Sequence, residues 1–318
     1  MKRILVIQTA FLGDVILATP VVSEMHRIFP SCQIDFLVKK GNESLLENNP
    51  HLHSIFTFDK SDGKWKNIFR LIKQFRKSRY DLVINLHRFG SSGLITALSG
   101  AKLKYGFKKN PFSFGFTKSF DHEIGNGIHE VTRNLSLIKE FGAKALVRPE
   151  LYPNETDFEK ISQYEGAYFC IAPASIWSTK QLPKEKWIEL VQQIALNGTI
   201  YIIGGANDSA LCDEIKDKAG VDHCFNLSGK LSLMESAALM KGAKMNYVND
   251  SGPMHIASAM NAPVTAFFCS TIPDFGFTPL SEISFIKQVD NDLDCRPCGL
   301  HGFKVCPKGH FNCGDIEI

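Results

Sequence analysis

Seven consecutive residues, Asn249-Asp250-Ser251-Gly252-Pro253-Met254-His255, have the composition of a strand running into an anion-binding helix. The mostly apolar stretch 245–248 before them reads as a buried strand, and Met254, Ile256, Ala257 and Met260 share a helical face after them. Exposed N–H groups and the positive end of the helix dipole attract phosphate at such a start, and Gly252 lets a ligand approach the backbone closely. Asp, Ser and Gly are also ordinary cap and turn residues, so the motif alone leaves both readings open. A second group ends the first apolar run: Gln8-Thr9-Ala10-Phe11-Leu12-Gly13-Asp14. Asp14 then opens a helix, where the dipole favours the ionised state that a general base needs; a simple helix cap is the plainer account. A third group is the loop Ala174-Ser175-Ile176-Trp177-Ser178-Thr179-Lys180-Gln181-Leu182-Pro183. Its hydroxyls donate hydrogen bonds and Lys180 is a compact charge, a set suited to phosphate, although a solvated surface lysine explains it equally well.

Residues so far apart in the chain need a scaffold that gathers loops. Strands are expected at 4–7, 34–38, 54–58 and 82–85, with helices at 15–29, 42–48 and 65–77 between them. The scheme repeats with strands at 168–172, 199–203, 245–248 and 264–268 and helices at 184–197, 209–219 and 233–241. Strands each followed by a helix imply right-handed crossovers and parallel sheets, with ligands at the carboxyl ends of strands. The 318 residues are expected to form two domains. The weakly periodic stretch 142–166, with Pro149 and Pro153, marks the junction. This gives an N-terminal α/β domain over 1–150 and a C-terminal one over 151–318, doubly wound and facing each other across a cleft. Neither carries Gly-x-Gly-x-x-Gly after its first strand, which argues against a nicotinamide or flavin dehydrogenase.

With 44% hydrophobic and 22% charged residues the chain can fill two cores, and a disordered protein is excluded. No apolar run approaches the roughly 18 residues of a membrane span. The first eight residues are expected to be a buried strand and not a secretion signal, because no small-residue cleavage site follows. The net charge of +3 conceals a basic half, with 23 Lys and Arg against 13 Asp and Glu in residues 1–150, and an acidic half, 13 against 20 in 151–318. The basic half suits an anionic partner, although solvated faces alone would give the same count.

The phrases Phe11-Leu12-Gly13-Asp14-Val15, Ser175…Lys180…Pro183, Gly204-Gly205 and Asp250-Ser251-Gly252-Pro253-Met254-His255 follow one another in a family order. In them the chain resembles the ADP-heptose:lipopolysaccharide heptosyltransferases of the inverting glycosyltransferase family nine, heptosyltransferase II-like, from the first strand to the terminal cysteines. The resemblance implies the GT-B architecture of two facing Rossmann-like domains, the first on the acceptor side and the second binding the nucleotide sugar. It implies Asp14 as the base that deprotonates the acceptor, Lys180 and Ser175 at the donor's phosphates, and Asp250, Ser251, Gly252 and His255 as the donor-binding loop. Leu231 falls near the adenine. Relatives often place a Glu for the ribose after Gly204-Gly205, where this chain has Ala206-Asn207-Asp208, so Asn207 or Asp208 would have to substitute.

The implied reaction moves heptose from ADP-heptose to the lipopolysaccharide inner core by single displacement. Asp14 would be the base, Lys180 and the helix start would stabilise the leaving diphosphate, and closure of the cleft would exclude water. No cofactor is expected for catalysis, and no Asp-x-Asp metal triad is expected in the chain. The rival readings are a family member using another nucleotide sugar or acceptor and a non-catalytic nucleotide- or glycan-binding protein. The family's usual final helix is expected to be very short or missing after Cys313.

The implied acceptor is an anionic lipid-linked core oligosaccharide, which places the protein in the cytoplasm, peripherally at the inner face of the cytoplasmic membrane. His87 and Arg88, just past a strand's carboxyl end, are candidate acceptor-binding residues. Trp65, Ile68, Ile72 and Phe75 form an apolar stripe bordered by Lys64, Lys66, Arg70 and Lys73. Such a helix either rests on anionic headgroups or packs on its own sheet. Lys102, Lys104, Lys108 and Lys109 form a second basic cluster with Tyr105 and Phe107. No nucleic-acid-binding module accompanies it, so nucleic acid is not an expected partner.

Of the nine cysteines, Cys32, Cys170, Cys212, Cys224 and Cys269 are expected to be buried thiols. The spacing of Cys295, Cys298, Cys306 and Cys313, with His301 and His310 nearby, suits a structural zinc ion. Four free thiols are the alternative, since an enzyme using a cytosolic nucleotide sugar works where disulfides do not form.

Overall fold

The computed structural model describes residues 1–61 and 63–318. The chain divides into two compact units, Met1–Ile124 with Ile128–Tyr152, and Gly125–Gly127 with Pro153–Ile318. The first unit contains β1 (Arg3–Gln8), α1 (Leu12–Ile16), α2 (Thr19–Ile28), β2 (Gln33–Lys39), β3 (Ser54–Phe58), α3 (Lys64–Ser78), β4 (Leu82–Asn85), α4 (Gly90–Leu98), β5 (Leu103–Phe107), β6 (Lys118–Phe120) and α5 (Glu130–Ser136). The second contains α6 (Glu155–Ile161), β7 (Tyr168–Ala172), α7 (Lys184–Ile194), β8 (Thr199–Ile202), α8 (Ser209–Ala219), β9 (Cys224–Asn226), α9 (Leu233–Gly242), β10 (Met245–Asn249), α10 (Gly252–Ala259), β11 (Val264–Phe268) and β12 (Ser284–Gln288).

Each unit is built on a six-stranded sheet, in the order β3-β2-β1-β4-β5-β6 in the first and β12-β11-β10-β7-β8-β9 in the second. The pairs β1–β2, β1–β4, β7–β8 and β7–β10 are all parallel. The apolar runs explain the central strands: Ile4 to Ile7 and Tyr168 to Ala172 are buried on both faces, as strands sandwiched between helices must be. Leu5, Leu37, Ile68, Leu71, Phe75 and Tyr80 pack one face of the first sheet, and Ile171, Trp187, Val191, Ile200, Ile215 and Phe267 pack one face of the second.

Strand order reverses between β1 and β4 in the first unit and between β7 and β10 in the second. At such a switch point the following loops diverge to opposite sides of the sheet and leave a crevice at the carboxyl ends. The loops there are those after β1 and β4, carrying Asp14, His87 and Arg88, and those after β7 and β10, carrying Ser175, Lys180 and Asp250 to Gly252.

Several elements differ from expectation for identifiable reasons. The helix expected over 15–29 is two, α1 and α2, because Pro20 in the first turn of α2 has no N–H to continue the earlier helix. The 42–48 helix is reduced to a single 3₁₀ turn, Glu43–Leu45, among the asparagines and Pro50. The basic cluster around Tyr105 belongs to β5, where alternation turns Tyr105 and Phe107 inward. Lys102 pairs with Asp81 at 2.7 Å and Lys108 with Asp121 at 2.8 Å, so part of that charge is neutralised within the unit. On α3, Ile68, Ile72 and Phe75 are core residues while Trp65 stays 60% exposed, so the stripe divides between packing and surface. Cys170, Cys212, Cys224 and Cys269 are buried thiols and Cys32 is half-buried. Against the expectation of no Asp-x-Asp, the chain carries Asp290-Asn291-Asp292, and both carboxylates are exposed beyond β12. Among the described residues no helix is long and apolar enough to cross a membrane.

Candidate active site

In the first unit, β1 delivers Gln8, Thr9 and, at the start of α1, Asp14. The Asp14 carboxylate accepts the Phe11 N–H at 3.2 Å, which anchors it to the first turn of its own helix. Burial pushes its pKa up to about 6 and the charge of Glu130 adds to the rise, while the Phe11 hydrogen bond and the Arg88 guanidinium oppose it. Asp14 is therefore a carboxylate of enhanced basicity, ionised at neutral pH and able to accept a proton. Glu130 is held ionised despite its burial because His122 lies 3.0 Å away and Arg133 donates to it at 2.6 Å. Nothing in the sequence around Glu130 singled it out, because it comes from α5, over a hundred residues after Asp14.

His87 is buried just after β4, with Nδ1 2.9 Å from the Thr9 hydroxyl and its backbone N–H donating to Asn85 Oδ1 at 2.9 Å. Burial, then the charges of Lys60 and Arg88, lower its pKa to about 4, so the ring is neutral at physiological pH. Arg88 is the cation of the pair, and its charge reaches both Asp14 and His87. In the same unit lies an apolar pocket of about 370 Å³, lined by Lys60, Lys64, Trp65, Ile68, Phe89 and Phe112. Phe89, directly after Arg88, is 66% exposed. Burial, and after it the charges of Lys39 and Lys64, lower the pKa of Lys60, which places it in a cluster of like charges.

In the second unit, Lys180 closes a 3₁₀ turn (Ser178–Lys180) after β7, and its Nζ lies 2.6 Å from Asp250 Oδ2 at the end of β10. Both side chains are largely buried. The Thr271 hydroxyl donates to the same Asp250 oxygen at 2.6 Å. Asn249 ties the two loops together: its Oδ1 accepts the Leu182 N–H at 2.9 Å and its amide donates to Pro173 O at 2.8 Å. Ser251 is the extended N-cap of α10, and Gly252 and Pro253 open the helix, so backbone dipoles converge where the sequence suggested. His255 is buried one turn into α10. The Lys180 ammonium has donors beyond the one facing Asp250, which an anion at the helix start can accept.

The structure thus gathers Asp14, His87 and Arg88 in one unit and Ser175's loop, Lys180, Asp250, Ser251 and Gly252 in the other. Leu231 is half-buried at the carboxyl end of β9, two strands from β7, immediately before the Ser232 cap of α9. Asn207 is exposed, and Asp208 accepts the Gly205 N–H at 2.8 Å, closing its own turn. A pocket of about 700 Å³ runs along the edge strand β9 beside Tyr201, Phe225 and Asp213; the chemistry-bearing residues above do not line it. In the tail, Cys298 Sγ donates to Cys295 O at 3.1 Å and Cys295 Sγ lies 3.9 Å from His310 Nε2. Among the described residues no group of three or more His, Cys, Asp or Glu side chains is arranged to hold a metal ion.

Comparison with known proteins agrees with this architecture. The chain superposes on Escherichia coli ADP-heptose lps heptosyltransferase II with a TM-score of 0.79 and 22% identity, covering 94% of this chain and 96% of that one. It superposes on E. coli heptosyltransferase WaaC with ADP with a TM-score of 0.75 and 19% identity over 89% and 93% of the two chains. The fold is therefore that of the GT-B glycosyltransferases, two Rossmann-like units in one chain. Lipopolysaccharide heptosyltransferase 3 of Escherichia coli is 28% identical over 283 residues, 82% of each sequence. Residues 68–300 match glycosyltransferase family 9 (heptosyltransferase), and the chain belongs to that family.

Proposed function

We propose that this glycosyltransferase moves heptose from ADP-heptose to the inner core of lipopolysaccharide with inversion at the anomeric carbon. The observation that carries the reading is the Lys180–Asp250 pair beside the start of α10, at the switch point of the second sheet. A nucleoside diphosphate leaves as an anion, and Lys180 with the first-turn N–H groups of α10 supplies preorganised positive potential for it. Ser175 adds a hydroxyl to the same loop, His255 backs the helix start, and Leu231 packs near the base of the nucleotide. Asp14 takes the proton from the acceptor hydroxyl as that oxygen attacks, while the sugar–phosphate bond breaks on the opposite side. Its elevated pKa matches this task, because a base of pKa about 6 is ionised at neutral pH yet stronger than an ordinary carboxylate. The relatives named above for heptose transfer and for bound ADP support the donor assignment.

Arg88, neutral His87 and the lysine-rimmed aromatic pocket suit an anionic, lipid-linked core oligosaccharide: cations meet its acidic groups and aromatic faces meet its sugar rings or acyl chains. Peripheral attachment to the inner face of the cytoplasmic membrane follows from such an acceptor. The spacing of Cys295, Cys298, Cys306 and Cys313 is what supports a structural zinc ion in the tail, whereas their side chains are not gathered into a metal-holding group; elemental analysis of the purified protein tests it, and less than stoichiometric metal leaves them free thiols.

The decisive experiment measures ADP release from ADP-heptose with and without a truncated core acceptor, in wild type and Asp14→Ala. Acceptor-dependent release that collapses in the variant, with ADP binding retained, supports the transferase and its base. ADP-heptose binding without release by any acceptor favours the binding-protein alternative, and preference for another nucleotide sugar overturns the donor assignment.

A further inference from the structure

The cysteine-bearing tail is packed against both halves of the Lys180–Asp250 pair. On the lysine side, Thr179 and Phe303 are joined twice: Thr179 N–H donates to Phe303 O at 3.1 Å, and Phe303 N–H donates to the Thr179 hydroxyl at 2.7 Å. Gly302 leaves no room between them, since a Cβ there would stand 2.8 Å from the Thr179 hydroxyl and 3.1 Å from Lys180 Cγ. Lys304 reinforces the junction by donating to Ile176 O at 2.7 Å. On the aspartate side, the half-buried Arg296 donates to Thr271 O at 2.8 Å and to Phe268 O at 3.0 Å. Thr271 in turn donates its hydroxyl to Asp250. The result is one connected bracket, Arg296–Thr271–Asp250–Lys180–Thr179–Phe303.

We propose that this bracket is a positioning device for the donor diphosphate, in which Thr271 and Thr179 act through Asp250 and Lys180 and the tail segment from Arg296 to Phe303 holds both. This rests on the donor site proposed above. The physical argument is preorganisation. A lysine side chain in water samples many rotamers, and freezing one on binding costs conformational entropy. Here the cost is met at folding: Lys180 is held by Asp250, Asp250 by Thr271, and the two flanking loops by one strap of tail. A polar contact needed only for folding would affect stability without a selective effect on diphosphate affinity.

The test titrates ADP into wild type, Thr271→Val, Thr271→Ser, Thr179→Val and Lys180→Ala by calorimetry, with thermal midpoints and the kcat and KM for ADP-heptose measured in parallel. The expected result is a roughly tenfold weaker ADP affinity and a higher KM in Thr271→Val and Thr179→Val, near-unchanged midpoints, and recovery of most of the affinity in Thr271→Ser, which keeps the hydroxyl. ADP affinities equal to wild type in both valine variants, with Lys180→Ala strongly weakened, overturn the bracket and leave the donor site standing. Loss of affinity only in step with a lowered midpoint also overturns it. If Lys180→Ala binds ADP as wild type does, the donor site itself falls, and the bracket with it.

Discussion

Asp14 illustrates how much of a residue's chemistry lies outside its own stretch of chain. Its pKa of about 6 arises from burial and from Glu130, opposed by Phe11 N–H and Arg88. As the proposed base, it should give a kcat/KM that rises as pH passes through about 6 and levels off above it. Glu130→Gln removes a neighbouring negative charge, so the midpoint of that profile should move to lower pH; a profile that does not move excludes Glu130 as the cause. The same shift affects stability. Because the folded-state pKa is raised above the ordinary value of 3.8, the folded protein holds a proton that the unfolded chain releases between pH 4 and 6. Stability is therefore lost as pH rises through that window and the full penalty persists above it. Asp14→Asn, which keeps an acceptor for Phe11 N–H, should raise the thermal midpoint at pH 8 and give a smaller gain at pH 4.5. Equal effects at both pH values would show that ionisation of Asp14 costs the fold nothing.

Elements in this chain act by aiming loops, and their own stability is separable from the chemistry. The α9 helix begins with a reciprocal capping box, in which Ser232 Oγ accepts the Glu235 N–H at 3.1 Å and Glu235 accepts the Ser232 N–H at 2.7 Å. Ser232→Ala should cost about 1 kcal/mol in urea unfolding. Trp187 on α7 is fully buried against Phe267 of β11, with ring centroids 5.3 Å apart. Trp187→Ala should cost about 3–5 kcal/mol, since it empties a site beneath the sheet that carries Lys180 and Asp250. An unfolding free energy within 1 kcal/mol of wild type would mean that the core repacks around the void.

At the scale of the whole molecule, the asymmetry of charge is the property that the fold converts into a surface. The basic first unit carries Trp65 at 60% exposure, Phe69 at 59% and Phe89 at 66%, with Lys60 and Lys64 lining the same pocket as Trp65 and Phe89, a composition that suits the proposed membrane attachment. The protein should co-sediment with vesicles containing anionic lipid at low salt and be released by about 0.5 M salt. Trp65→Ala combined with Phe69→Ala should weaken the binding severalfold. Equal binding to zwitterionic vesicles would exclude an electrostatic contribution.

Features whose information is local are legible in the chain before it folds. Short apolar runs are enough to place β1, β4 and β7, because a strand buried on both faces has few other ways to satisfy its side chains, and β10 follows from Met245, Tyr247 and Val248 despite Asn246 among them. Glycine and hydroxyl residues just past those runs likewise mark Asp14, Lys180 and the Asp250 loop as chain turning at carboxyl ends. Short edge strands such as β6 and β9 are not legible in the sequence, since three residues carry too little periodicity to distinguish them from loop. Long-range packing decided the strand order that puts these loops at switch points. It also decided the partnership of Glu130 with Asp14, the Thr271–Asp250–Lys180 contacts and the strap from the tail. Each of these depends on a distance between residues remote in the chain, and Coulomb and hydrogen-bond energies follow that distance, whereas sequence separation carries no trace of it.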